Sequence, residues 1–121
     1  MAILAAVDDL LFSSKIRATA KQVGAEVQFA RTPEEILSQA RLVRPSLVIF
    51  DLNSAKTDPI RTIAALKADA DVASIRTIGF ASHVHVDLIA AARSAGADEV
   101  LPRSAFAGRL ADILLAGAKP S

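Results

Sequence analysis

The sequence predicts an α/β domain in which a parallel sheet is covered by helices on both faces. Three observations lead there. Five short apolar runs alternate with segments of helical periodicity, and the connections between them are short. The third run, Leu47-Val48-Ile49-Phe50, is apolar at every position, the pattern of a strand buried on both sides.

Strands are expected at 3–7, 26–30, 46–50, 75–81 and 98–101. Between the first two, Phe12, Ile16, Thr19, Ala20 and Val23 recur at helical spacing and predict a helix over 12–23. Thr32-Pro33-Glu34-Glu35 offers an N-cap, a proline at the first helical position and a capping-box glutamate, so a second helix covers 33–43. Asp58-Pro59 repeats the cap-plus-proline signal ahead of Ile60, Ile63, Ala64 and Leu66. A fourth helix carries Leu88, Ile89 and Ala92 and ends near Gly96; Ser104 caps a fifth, with Phe106, Leu110, Ile113 and Leu114. Residues 117–121 are expected to fray.

At 121 residues the chain fits a single domain, with no linker, repeat or low-complexity segment. The net charge of +1 and the scattered Lys and Arg residues argue against nucleic-acid binding. With no cysteine, neither disulfides nor thiolate chemistry is available. No apolar run approaches the roughly 18 residues of a membrane span, and the first residues lack a secretory pattern. A soluble, cytoplasmic protein is expected, binding neither membrane nor nucleic acid.

The chemistry concentrates at two strand ends. Asp51 closes the third apolar run, and Asp8-Asp9 closes the first, Ile3-Leu4-Ala5-Ala6-Val7. Carboxyl ends of neighbouring parallel strands share one crevice, where ligands bind. Three carboxylates there repel one another unless protons or a hard cation neutralise them, and oxygen ligands suit Mg²⁺ better than Zn²⁺. The plainer alternative is three strand-end aspartates facing water.

These residues resemble the receiver domains of two-component response regulators. The likeness spans essentially the whole chain. It rests on Val7-Asp8-Asp9 after the first strand, Asp51-Leu52-Asn53 after the third, Ala95-Gly96-Ala97-Asp98 entering the fifth and Leu101-Pro102-Arg103 leaving it. The resemblance implies a flavodoxin-like (βα)5 sandwich with strand order 2-1-3-4-5. It further implies that Asp51 is the phosphoacceptor, that Asp9 and Asp51 hold Mg²⁺, that Asp8 supports the metal shell and that Asn53 gives a main-chain carbonyl.

Three positions depart from that pattern. Where the family carries a Ser or Thr at the end of the fourth strand, this chain has Ala81; Ser82 substitutes for it only if the strand ends early or bulges. The family's Lys after the fifth strand is Arg103, a permanent cation that is planar and able to grip phosphate bidentately. The family's switch aromatic on the fifth strand is Val100.

The sequence therefore leaves three readings open. The first is a stand-alone receiver-like domain of a phosphorelay, not itself an enzyme, that accepts a phosphoryl group on Asp51 and signals by protein contact. The second is a pseudo-receiver that serves only as an interaction module. The third, a small-molecule or hydrolytic α/β domain, lacks a nucleophile elbow or Gly-rich phosphate loop. In either signalling case the partner, a histidine kinase or a downstream target, acts in trans. The expected contact face is the fourth helix, fifth strand and fifth helix, presenting Arg93, Asp98, Glu99, Arg109 and Asp112; such mixed charge also suits a two-fold homodimer. Arg103 is alternatively a simple counter-ion to Asp51 or Asp8, and His83-Val84-His85 a solvated loop pair.

Overall fold

The computed structural model describes residues 2–82 and 85–118. Five strands, β1 (Ala2–Ala6), β2 (Glu26–Phe29), β3 (Leu47–Asp51), β4 (Arg76–Ala81) and β5 (Glu99–Pro102), form one parallel sheet in the order β2-β1-β3-β4-β5. The helices are α1 (Leu10–Val23), α2 (Pro33–Val43), α3 (Pro59–Ala68), α4 (Val86–Ala95), α5 (Arg103–Gly108) and α6 (Leu110–Ala118). The topology is the expected one, with most strand bounds shifted by a single residue.

Period-two alternation divides the strand side chains between two cores. Ile3, Ala5, Val7, Ile49, Ile78 and Phe80 meet Phe12 and Ile16 of α1, Phe106 of α5, and Leu110, Ile113 and Leu114 of α6. On the other face Leu4, Ala6, Val48, Phe50, Ala81 and Val100 meet Ile36 and Ala40 of α2, Ile63 and Leu66 of α3, and Ala92 of α4. All five residues of β3, Asp51 included, are buried, as its apolar run predicts.

Local signals explain most helix ends. Thr32 Oγ1 accepts from the Glu35 N–H at 3.2 Å, although the Glu35 carboxylate reaches back to the Arg31 N–H rather than to the cap residue. Gly24 and Gly96 end α1 and α4 in the left-handed region. Five expectations need correction. The first helix begins at Leu10, because Asp9 itself is the N-cap. Asp58 is left-handed, with φ 43°, and makes no side-chain cap, so Pro59 alone sets that start. Ser104 lies inside α5, whose cap position is Pro102. The predicted fifth helix is broken at Arg109: α5 stays against β4 and β5, while α6 packs on α1 and β1. Gly117 and Ala118 are helical rather than frayed; Lys119, Pro120 and Ser121 lie outside the described residues.

A cavity of about 770 Å³ lies at the amino-terminal end of the sheet, lined by Leu47, Ile78 and Ile113 and by Arg76, Glu99 and Arg109. It lies at the opposite end of β3 from Asp51. No helix among the described residues is long and apolar enough to cross a membrane.

Lys67 ties the α3–β4 connection to β5. Its Nζ donates to the carbonyls of Ala73 and Ile75 at 3.2 and 2.9 Å and to Asp98 Oδ2 at 2.9 Å. Gly96, at φ +110°, packs against this anchored side chain, and a Cβ there would lie 2.9 Å from Lys67 Cγ. Gly96→Ala is therefore expected to destabilise the fold by about 1–3 kcal/mol, through backbone strain and a neighbour that cannot retreat. At Gly108 a Cβ meets nothing within 4 Å. Gly108→Ala should be neutral or stabilising by up to about 1 kcal/mol. Urea unfolding midpoints of the two variants check the contrast.

Candidate functional site

The sheet register brings the aspartates to one rim. Ala6 pairs with Phe50, which sets Asp51 level with Val7 and leaves Asp8 and Asp9 just beyond β1. Asp51 is 3% exposed. Its Oδ1 accepts from the Asn53 N–H at 3.0 Å and lies 3.6 Å from Arg103 Nη2. Burial raises the Asp51 pKa above the usual carboxylate value; the Asn53 N–H and the Arg103 charge oppose the rise, and the charges of Asp8 and Asp9 add to it.

Asp9 is already engaged. Its Oδ1 accepts from the Phe12 N–H at 3.1 Å, closing the first turn of α1. Asn53 is exposed, and its Nδ2 lies 3.1 Å from His85 Nδ1, a contact joining the β3–α3 loop to the start of α4. Of the His83-Val84-His85 segment, expected as a solvated loop pair, His85 is exposed and contacts Asn53, while His83 and Val84 lie outside the described residues. Among the described residues no three His, Asp or Glu side chains are set as a metal-ligand group. The donor types nevertheless fit a hard divalent cation, because all are oxygens and because Asp8 and Asp9 disfavour ionisation of Asp51, a repulsion that a cation relieves.

The departures from the receiver pattern also have places. Ala81 is fully buried on the α2–α4 face, in the same cluster as Val100. Phe80, its neighbour, pairs with Asp51 across the sheet and points to the opposite face. The strand ends at Ala81, so Ser82 lies just outside it, half-buried, with its carbonyl accepting from the His85 N–H at 2.9 Å.

Sequence reasoning missed what holds Arg103. Phe12, Phe80 and Phe106 form a stack, with centroids 4.8 Å apart for Phe12 and Phe80 and 4.4 Å for Phe80 and Phe106. The Arg103 guanidinium lies over Phe12 and Phe80, at 5.4 and 5.7 Å from their centroids. Its Nε is buried without a hydrogen-bond partner among the described residues. A buried donor left unpaired costs about 1–3 kcal/mol. The three phenylalanines share one face of the sheet, but they are far apart in sequence and only the pairing register stacks them.

On the expected partner face the acidic groups are largely spoken for. Glu99 accepts from Arg76 at 2.9 Å and from Arg109 at 3.1 Å. For Asp98, burial is outweighed by the Lys67 and Thr77 hydrogen bonds, which hold its carboxyl below the usual range. Among the described residues the exposed large apolar side chains are spread over several elements: Leu10 and Leu11 at the first turn of α1, Leu42 near the end of α2, Val86 at the first turn of α4 and Leu115 in α6.

No family model matches this sequence, and no curated protein matches it. Solved structures match over nearly its whole length. A response regulator from Hahella chejuensis is 18% identical, with a TM-score of 0.82 over 93% of this chain and 91% of the other. The Mn(2+)-bound form of response regulator Rcp1 is 19% identical, with a TM-score of 0.76 over 99% of both chains. The signal receiver domain of a signal transduction histidine kinase from Syntrophus aciditrophicus is 21% identical, with a TM-score of 0.79 over 99% of this chain and 93% of the other. At such identities the likeness is one of fold: this chain has the flavodoxin-like fold of response-regulator receiver domains.

Proposed function

We propose that this chain is a receiver-like signalling domain that accepts a phosphoryl group on Asp51 and passes the resulting change to a protein partner. The observation that carries this reading is the buried Asp51 carboxylate at the end of β3, with Oδ1 positioned by the Asn53 N–H and by Arg103. Oδ2 takes neither contact and is the oxygen that meets an incoming phosphorus. In the transfer, a carboxylate oxygen bonds to phosphorus, the bond from phosphorus to the donor atom breaks, a nitrogen in a phosphohistidine or an oxygen in acetyl phosphate, and that electron pair leaves with the donor. Desolvation makes ionised Asp51 a better nucleophile, and Arg103 meets charge on the transferred group. A divalent cation held by Asp8, Asp9, Asp51 and the Asn53 carbonyl would supply further neutralisation. In support, Rcp1 carries Mn²⁺, and the cyanobacterial phytochrome response regulator RcpA has been solved phosphorylated.

The pseudo-receiver is the second reading, favoured by Ala81, which has no hydroxyl, and by Arg103, whose charge already faces Asp51 Oδ1 at 3.6 Å. The partner, a histidine kinase or a downstream target, is proposed to engage the α4, β5 and α5 face, with a homodimer there as the alternative and the cytoplasm as the setting.

Incubation with Mg²⁺ and acetyl phosphate should add the mass of one phosphoryl group, and Asp51→Asn should abolish the gain in intact-mass spectra. No gain in the unmodified protein, with a partner captured equally well by Asp51→Asn, would leave the pseudo-receiver standing.

Asp51 also predicts a pH dependence. Its folded pKa is raised, so the native state binds the proton more tightly than the unfolded chain. Stability from this group is present at low pH and is lost as pH rises from the ordinary carboxylate value through the raised one. Asp51→Asn should therefore melt higher than the unmodified protein at pH 7 in metal-free buffer, with the gap closing on acidification. Equal melting temperatures at neutral pH would show that Arg103 fully offsets the burial of the charge.

A further inference from the structure

The cavity of about 770 Å³ at the amino-terminal end of the sheet takes no part in the Asp51 site, and its size falls in the roughly 300–1,000 Å³ range of small-molecule pockets. Its walls are tied in place. Arg44 Nη1 donates to the Asp71 carbonyl at 3.1 Å and Lys67 Nζ to the Ile75 carbonyl at 2.9 Å, which fixes the α3–β4 connection on one side. On the other, Ser46 Oγ donates to the Gly117 carbonyl, and a Cβ on Gly117 would come within 2.9 Å of Ile3 Cδ1, so α6 lies flush on the strands. The interior is apolar, from Leu47, Ile78 and Ile113. At the rim Glu99 holds two cations at once: Oε1 accepts from Arg76 Nη2 at 2.9 Å and Oε2 from Arg109 Nη1 at 3.1 Å. One carboxylate between two guanidiniums leaves a positive charge over, and both arginines are more than half exposed, with N–H groups to spare. Arg44, Asp71 and Asp112 complete the charged lining and make the whole neutral. A ligand with a single negative charge therefore suits the rim better than a doubly charged phosphate monoester.

We propose that this cavity binds a small organic acid, with its hydrocarbon body against Leu47, Ile78 and Ile113 and its carboxylate on the free N–H groups of Arg76 and Arg109. The site is independent of the chemistry at Asp51, which lies at the opposite end of β3. Guanidinium N–H groups match carboxylate oxygens, and Glu99 already holds both arginines at the rim, so little side-chain freedom is lost on binding. Glu99 is thus a positioning residue. An uncharged body of the same shape would keep only the apolar contacts, and a cationic one would meet Arg76 and Arg109 as like charges.

Octanoate is the probe, titrated into the full chain and followed by backbone amide shifts, with 1-octanol, octylammonium and octyl phosphate as comparisons. Octanoate is expected to shift the amides of Leu47, Ile78 and Ile113 and to bind on the order of tenfold tighter than octanol, as a charge-assisted contact allows. Octylammonium should bind more weakly than octanol, and octyl phosphate no more tightly than octanoate. Arg76→Gln combined with Arg109→Gln should weaken octanoate on the order of tenfold to a hundredfold and leave octanol unchanged. Ala116→Phe, at an exposed position that lines the cavity, should weaken octanoate and octanol alike. Equal binding of octanoate and octanol by the unmodified protein, tighter binding of octyl phosphate, or shifts that avoid Leu47, Ile78 and Ile113 would overturn the proposal. If the double variant does not fold, Ala116→Phe decides: octanoate bound there as tightly as by the unmodified protein puts the ligand elsewhere and sinks the idea.

Discussion

Because β3 is buried on both faces to its last residue, the carboxylate of Asp51 sits where solvent cannot neutralise it, and the surroundings are organised around that charge. The β3–α3 loop turns an N–H onto Oδ1, and the first residue of α5 sends a guanidinium toward it. The aromatic stack then fixes the guanidinium. A carboxylate in water needs none of these partners; a desolvated one is tolerated only with them.

The same logic separates the two sides of the sheet. On the face of α1, α5 and α6 the strand ends carry Asp51 and Phe80, so polar chemistry and its aromatic support lie together. The face of α2, α3 and α4 closes over Ala81 and Val100 and stays apolar up to the rim. Position 81 therefore belongs to a packing problem as well as a chemical one: a small residue suits the surroundings of Ala92 and Val100, whatever its loss does to the crevice.

Apolar periodicity made the five strands and their parallel arrangement legible, because a sheet covered on both sides leaves a strong pattern. Asp8, Asp9 and Asp51 stood out for a related reason, as polar residues that close such runs, whereas Asn53 and Arg103 were singled out only through the resemblance to receiver domains. Asp9 as a helix cap was within reach, since aspartate is among the best N-caps, yet its place in an acidic pair drew attention to repulsion instead. The orphaned Nε, the stack beneath it and the contact of His85 with Asn53 depend on distances between segments well separated in the chain, which local pattern does not encode. The break at Arg109 was hidden as well, because Phe106, Leu110, Ile113 and Leu114 keep helical spacing straight through it.

That break has a mechanical consequence. A single rod from Arg103 to Ala118 would couple any displacement of its first residue to the far end of the sheet, because a helix is stiff along its axis. Instead Arg103 rides on six residues, fewer than two turns, that rest on β4 and β5, while α6 is anchored separately against α1 and β1. The cation at the crevice thus sits on a short segment with an anchor of its own, the buried Phe106 against Phe80, distinct from the seat of α6 on α1 and β1.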